Sequence, residues 1–304
     1  MVNAFTALAP IFLVIGLGVW IRRWLKADDS FWRLLEKLTY FILFPALLIH
    51  RLGTTALPES GLVAAMAALL LPSLVVTGIG MALRRPLHMN GADFATGTMA
   101  AIRFNTYAGL AGAVALYGQE GLAVFALLLA GYIPLVNIIS ALLLGRFAQA
   151  SAASPRALLR AVVTNPLVVA CAIGIVINLS HVPVPAFAER TLAILGNAAL
   201  GAGLVSVGAA LRIDSLVADR RGIAVATAVK LLALPALAAG FCHLFGVGDL
   251  ERGVVVLFAA LPSSPAAYVL ARQMGGNAPM MAGIITVSTP AAMLAIPLVL
   301  ALFG

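Results

Sequence analysis

The chain has 304 residues, of which 62% are hydrophobic and only 10% charged, and its mean hydropathy is +1.08. That composition lies far outside the soluble range and identifies a polytopic, all-α membrane protein. The formal charge of +8 reads as cytoplasmic loop charge rather than a nucleic-acid surface. Cys171 and Cys242 sit in apolar runs without ligand spacing, as small buried hydrophobes rather than a disulfide or a metal site.

About 20 apolar residues carry a helix across the hydrocarbon core. On that measure the chain holds ten predicted spans, at 4–21, 35–52, 62–83, 95–117, 122–145, 161–179, 188–211, 222–245, 252–272 and 280–303. The first, built on Phe5 to Val19, has no basic segment ahead of it and is followed by Arg22-Arg23-Trp24, the pattern of a span rather than a cleaved signal peptide. Span 2 carries a break at Phe44-Pro45, and span 3 carries Leu69-Leu-Leu71-Pro72. The joints read as turns: Lys26-Ala-Asp-Asp-Ser30, Pro58-Glu-Ser-Gly61, Arg84-Arg-Pro86, Gly118-Gln-Glu-Gly121, His181-Val-Pro-Val-Pro185 and Gly246-Val-Gly-Asp249. The longest joint, Gln149-Ala-Ser-Ala-Ala-Ser-Pro155, falls at the midpoint. It divides the chain into a first half at 1–148, a linker at 149–160 and a second half at 161–304.

Span 4 is the unusual one. The stretch Gly97 to Gly118 is long and apolar enough to cross, yet Arg103, Asn105 and Thr106 stand near its middle. A charge at that depth is expensive unless it faces protein, water or a ligand. Span 9 offers a stretch of similar length, Gly253 to Gly275, with Leu261-Pro-Ser-Ser-Pro265 at the matching depth. Proline there removes a donor, breaks the helix and frees carbonyls. Aligning the terminal glycines sets Asn105 opposite Pro262, while Leu69-Leu-Leu71-Pro72 in span 3 answers Leu231-Leu-Ala-Leu234-Pro235 in span 8. An odd number of spans per half inserts the second half upside down. The prediction is two inverted five-helix repeats with a site at the midplane, where the broken helices 4 and 9 meet.

Lysine and arginine counts orient the chain. Fourteen fall on one side, against Arg51, Arg190 and Arg252 on the other, with Arg103 and Lys230 left inside spans. The basic side is cytoplasmic, which puts the linker inside and both termini outside the cytoplasm. The expected setting is a cell membrane, a bacterial inner membrane.

The site candidates are Arg103, Asn105, Thr106, Pro262, Ser263, Ser264, Pro265 and Asn197. Arg103 has two readings: it offers positive potential to an anionic substrate, or it snorkels or caps the freed carbonyls. Asn105 and Thr106 suit a ligand, because an amide both donates and accepts where a helix unwinds. Tyr107 either lines the pocket or fills the core. The series Gly196, Gly201, Gly203 and Ser206 suits close helix packing, with Asn197 the polar exception. Lys230 reads as a structural tether rather than a coupling cation. Asp93, Glu120 and Glu251 lie at span ends, which weighs against a paired-carboxylate relay. Gly-x-Ser-x-Gly, His-Glu-x-x-His, paired intramembrane aspartates and phosphate loops are absent from the sequence. Neither enzyme chemistry nor a cofactor or metal is expected.

Four pieces of sequence resemble the auxin efflux carrier family of secondary transporters. They are Leu38-Thr-Tyr-Phe-Ile-Leu-Phe-Pro-Ala-Leu-Leu48, Arg103-Phe-Asn-Thr-Tyr-Ala-Gly-Leu110, Pro134-Leu-Val-Asn137 and Ala271-Arg-Gln-Met-Gly-Gly276. The resemblance implies the fold of the bile-acid–sodium symporters, with spans 1, 2, 6 and 7 as a scaffold and the others as a core that moves as an elevator. It makes Asn105 a substrate contact and puts the second crossover proline at Pro262 or Pro265. Many relatives carry a proline shortly after that asparagine, where this chain reads Gly109-Leu-Ala-Gly112, so the span 4 break must do without it. The expected function is secondary transport of a small organic anion, a mono- or dicarboxylate of the auxin, malonate or malate kind. The alternatives are a sodium-coupled symporter of the bile-acid type and a membrane receptor that binds without transport. Expected partners are the anion, the lipid bilayer, a proton or sodium as coupling ion and a second copy in a homodimer, with no nucleic acid.

Overall fold

The computed structural model describes residues 2–55, 61–86, 88–148, 154, 156, 159–160, 163–180, 184–212 and 219–304. Every element among them is helical, as hydrocarbon requires, since a helix satisfies its backbone polar groups within itself. In order they are α1 (Val2–Leu25), α2 (Asp29–Leu38), α3 (Phe44–Thr54), α4 (Leu62–Arg84), α5 (Gly91–Ile102), α6 (Thr106–Phe147) and α7 (Pro166–Ser180). Then come α8 (Ala186–Ala210), α9 (Arg220–Ala228), α10 (Leu234–Leu244), α11 (Asp249–Ala260), α12 (Pro265–Gln273) and α13 (Ala278–Phe303).

Two joints are π-helical turns, Thr39–Leu43 between α2 and α3 and Val229–Ala233 between α9 and α10. Proline is the cause of both. Pro45 and Pro235 carry no N–H, and the residue ahead of each bonds five positions back, Phe44 N–H to Thr39 O and Leu234 N–H to Val229 O. The predicted break at Phe44-Pro45 is therefore a widened turn inside a continuous helical path.

By length and composition, six stretches among the described residues suffice to cross a membrane, or seven if α11 and α12, bent by 49°, count as one. The ten predicted spans map onto these unevenly. Spans 4 and 5 fall in a single apolar run over 91–147, α7 has 15 residues, and α2–α3 carries charge and a π turn. Inside 91–147 the chain leaves helical geometry at 103–105 and again at Gly118 (φ 65°, ψ −151°). The predicted turn Gly118-Gln-Glu-Gly121 thus contracts to one residue, whose conformation glycine tolerates without a Cβ penalty. Most of the linker 149–160, with Pro58-Glu-Ser60 and His181-Val-Pro183, lies outside the described residues.

The helices pack as two groups. In one, α1 lies on α8, and α3 lies on α7 and α8. A methyl on Gly18 or Gly208 would run into the backbone at Val205 or Ile15, so α1 and α8 touch main chain to main chain. In the other, α10 packs on α4 and α11, α11 on α6 and α13, and α9 on α13. Phe104, Phe125, Tyr132 and Phe258 close its centre, with ring centroids 4.2 to 5.3 Å apart along the cluster. That cluster sits against the two interruptions, 103–105 and 261–264.

Candidate functional site

The two interruptions are bonded to each other. Asn105 N–H donates across the gap to Pro262 O at 2.8 Å. The Ser263 hydroxyl donates to Ala100 O, near the end of α5, at 2.7 Å. Ser263 N–H in turn donates to Ser288 Oγ on α13 at 3.2 Å. The Ile102 carbonyl, freed where α5 stops, takes the Tyr132 hydroxyl at 2.8 Å, and that hydroxyl also meets Ser73 Oγ at 2.6 Å. Buried backbone groups released by unwinding are thus met by side chains from neighbouring helices.

Asn105 restarts the chain. Its Oδ1 accepts from Tyr107 N–H and Ala108 N–H at 3.1 and 3.2 Å and caps α6, a contribution of about 1 kcal/mol. The break therefore forms without the proline that relatives carry. Gly109, near that place, answers a packing demand instead. A Cβ there would lie 2.6 Å from Leu261 Cδ1 and collide with the Phe125 ring.

A cavity of about 880 Å³ opens beside the crossing. Arg103, Asn105, Thr106 and Tyr107 line it from the first break, and Ser264, Pro265 and Ala266 from the second. It reaches outward to Arg33, Lys37 and Gln273, which are exposed. Three basic side chains, Arg33, Lys37 and Arg103, face one acidic one, Glu36. Thr106 and Ala266 belong to the first turns of α6 and α12, so two helix N-termini add partial positive charge to the same space.

Arg103 is held from α6. Its Nη1 donates to Asn137 Oδ1 at 2.9 Å and, at the limit of bonding distance, to Ser140 Oγ at 3.5 Å. Its Nε is buried without a partner, and so is Asn105 Nδ2. Buried donors are nearly always satisfied. Both residues line the cavity, but these two atoms have almost no accessible surface and are turned from its open space.

The candidate residues separate by position. Arg103, Asn105, Thr106, Ser264 and Pro265 line the cavity. Pro262 and Ser263 lie behind the wall, fully buried, and tie one break to the other. Asn197 stands exposed on α8 and outside the cavity lining. Its neighbour Gly196 packs against Leu47, and one further residue turns the side chain about 100° away from that contact. Tyr107 lines the cavity and stacks on Phe44, centroids 4.7 Å apart. Lys230 is buried in the second π turn, away from the lining.

Asn137, Tyr40, Asn165 and Gln273 also line the cavity and were not candidates. Asn137 had a signal: a guanidinium in hydrocarbon needs acceptors, and Asn137 is the amide of span 5. Asn165 caps α7, accepting from Leu167 N–H and Val168 N–H at 3.0 and 3.3 Å.

The family model described as Membrane transport protein matches residues 3–300, nearly the whole chain. No curated protein sequence matches it.

Proposed function

We propose that this chain, which belongs to the auxin efflux carrier family of membrane transport proteins, is a secondary transporter that moves a small organic anion by alternating access. Family membership makes it a membrane transporter; the substrate class is read from the crossing. The observation that carries the reading is the cavity beside the two bonded breaks. It joins Arg103, Asn105 and two helix N-termini in one space with a basic excess. A mono- or dicarboxylate answers all of them at once, since each oxygen accepts and the charge offsets the excess.

In this reading ten spans form two inverted five-span repeats. The segments before and after Gly118 serve as the fourth and fifth spans, and α11 with α12 serves as the ninth. The group α1, α3, α7 and α8 stays fixed while the other group carries the crossing as an elevator. The membrane is a bacterial inner membrane, both termini lie outside the cytoplasm, and the cavity opens toward the cytoplasmic, arginine-rich side.

The test is flux. Purified protein in liposomes should take up radiolabelled malonate, malate or indole acetate in a saturable manner. Carboxylates that bind but never cross would make the protein a receptor. Flux that requires a sodium gradient would favour a symporter of the bile-acid type over a uniporter or proton-coupled carrier.

A further inference from the structure

Tyr107 belongs to three settings at once. It is the second residue of α6, and its N–H donates at 3.1 Å to the Asn105 Oδ1 that caps that helix. It lines the large cavity and also a smaller, adjoining one of about 180 Å³. Its ring lies face to face with Phe44 at the start of α3, with the two planes 9° apart.

Phe44 is fully buried, and α8 closes over the pair. A Cβ on Gly203 would lie 3.0 Å from Phe44 Cε2 and 3.0 Å from Tyr107 Cγ, so the missing side chain makes room for both rings. The glycines of α8 thus have two uses. Gly208 meets α1 main chain to main chain, whereas Gly203 seats an aromatic pair. Among the described residues, Phe44–Tyr107 is the aromatic pair that joins the two groups of helices. The others each lie within one element or inside the group around α11.

We propose that the Tyr107–Phe44 stack, seated on Gly203, is a latch that holds the crossing against α3 and α8 and parts when the cavity changes sides. The proposal rests on the alternating-access reading, in which α6 moves relative to those two helices. Parallel rings separate by slipping along their faces, so no interlocked side chain blocks the movement and the cost is the stacking attraction itself. Tyr107 is then a positioning residue for the movement rather than a ligand contact. Its ring carries the latch, and among the described residues its hydroxyl has no hydrogen-bond partner. The latch is also in line with the site. Asn105 holds the Tyr107 N–H, so a ligand that draws on Asn105 acts on the turn that carries the ring.

Cysteine accessibility tests the latch without a substrate. Ala266, exposed in the wall of the large cavity, is replaced by cysteine. An impermeant thiol reagent is then applied to inside-out vesicles and to intact cells, and the ratio of cytoplasmic to external labelling rates is taken. The chain without Ala266→Cys, whose own two cysteines are buried, supplies the background. Tyr107→Leu should lower the ratio by ~2- to 10-fold. Gly203→Ala, which forces a methyl against both rings, should move it the same way. Phe44→Leu should do so too, and its effect should not add to that of Tyr107→Leu, since each removes half of one contact. Tyr107→Phe keeps the stack and should leave the ratio unchanged. So should Phe241→Leu, in an aromatic pair at the end of α10 outside both cavities. A ratio unmoved by Tyr107→Leu and Gly203→Ala, or moved equally by Tyr107→Phe, overturns the latch alone. External labelling that is absent from the parent and from every variant overturns alternating access, and the latch with it.

Discussion

Replacing Arg103 by glutamine removes the deepest cationic donor of the large cavity while preserving polarity and most of the length. In the structure its Nη1 is bound to Asn137 Oδ1 at 2.9 Å, and the side chain lines the cavity. A substrate carboxylate would therefore gain one charge-assisted hydrogen bond on a positioned guanidinium. Such bonds are worth about 1.5–3 kcal/mol, or ~10- to 150-fold in Kd. Glutamine ends two bonds short of Nη1 and loses the contact with Asn137, so a melting temperature is measured beside the affinity to separate folding from binding. Arg103→Lys should recover part of the loss, because the charge returns without the fork that spans Asn137 and the ligand. Asn137→Ala leaves the charge and removes its anchor, so its effect should be smaller than that of Arg103→Gln. Isothermal titration with a carboxylate and with its neutral amide, on the parent and the three variants, measures all of this. If Arg103→Gln weakens acid and amide equally, Arg103 is a strut for α6 and the electrostatic role assigned to it is wrong.

Asn105 carries two roles that substitution can divide. Asn105→Asp keeps the acceptor that caps α6 and adds negative charge to the cavity wall, so it should fold normally and lose carboxylate binding. Asn105→Ala should also lower stability, by about 1 kcal/mol from the lost cap, and a shared melting temperature for the two variants would count against the cap. Gly109→Ala should destabilise by about 1–3 kcal/mol, since its methyl meets Leu261 and Phe125; a melting temperature equal to the parent's would show that Phe125 can move aside. Cysteines placed at Ala150 and Gly304 should differ in labelling by an impermeant thiol reagent in intact cells, the first protected and the second reactive. Matching labels would break the inverted-repeat topology.

The helices were legible because an apolar run has one solution in lipid, and a buried backbone must bond to itself. The interruptions were legible too. Arg103, Asn105 and Thr106 in one apolar stretch and Leu261-Pro-Ser-Ser-Pro265 in another contradict an unbroken span, and Asn105 and Pro262 do meet. Side-chain direction was not legible. Any polar group in a span must turn toward protein or toward a cavity, and the choice depends on which helix lies alongside. Ser263 looked as accessible as Ser264, yet Ala100 O and Ser288 hold it behind the wall. Asn197 looked interior and lies outside, because its neighbour Gly196 takes the packing contact with Leu47. The outer wall of the cavity was hidden for another reason. Arg33, Glu36 and Lys37 read as charge at the edge of a span, and only the fold of α2 brings them over the crossing.

The two cations inside predicted spans have different surroundings, and that contrast bears on the substrate proposed for the crossing. Lys230 and Leu261 each lie about 20 Å along their helices from the shared loop 245–248, so Lys230 stands at the depth where α11 ends. Its π turn packs against α11 and α13. Helix C-termini are the negative ends of the dipole, so the end of α11 is the feature at that depth against which a buried ammonium would serve as a tether. Arg103 is placed the other way. It shares its cavity with the N-termini of α6 and α12 and with Arg33 and Lys37, against Glu36 alone of opposite sign. Asn137 satisfies one of its nitrogens and offsets none of its charge. Surroundings of this sign raise the cost of burying Arg103, and an anion bound beside it would lower that cost. On the proposed reading, the binding energy of a carboxylate would include relief of that repulsion, a term that a neutral ligand of the same shape would lack.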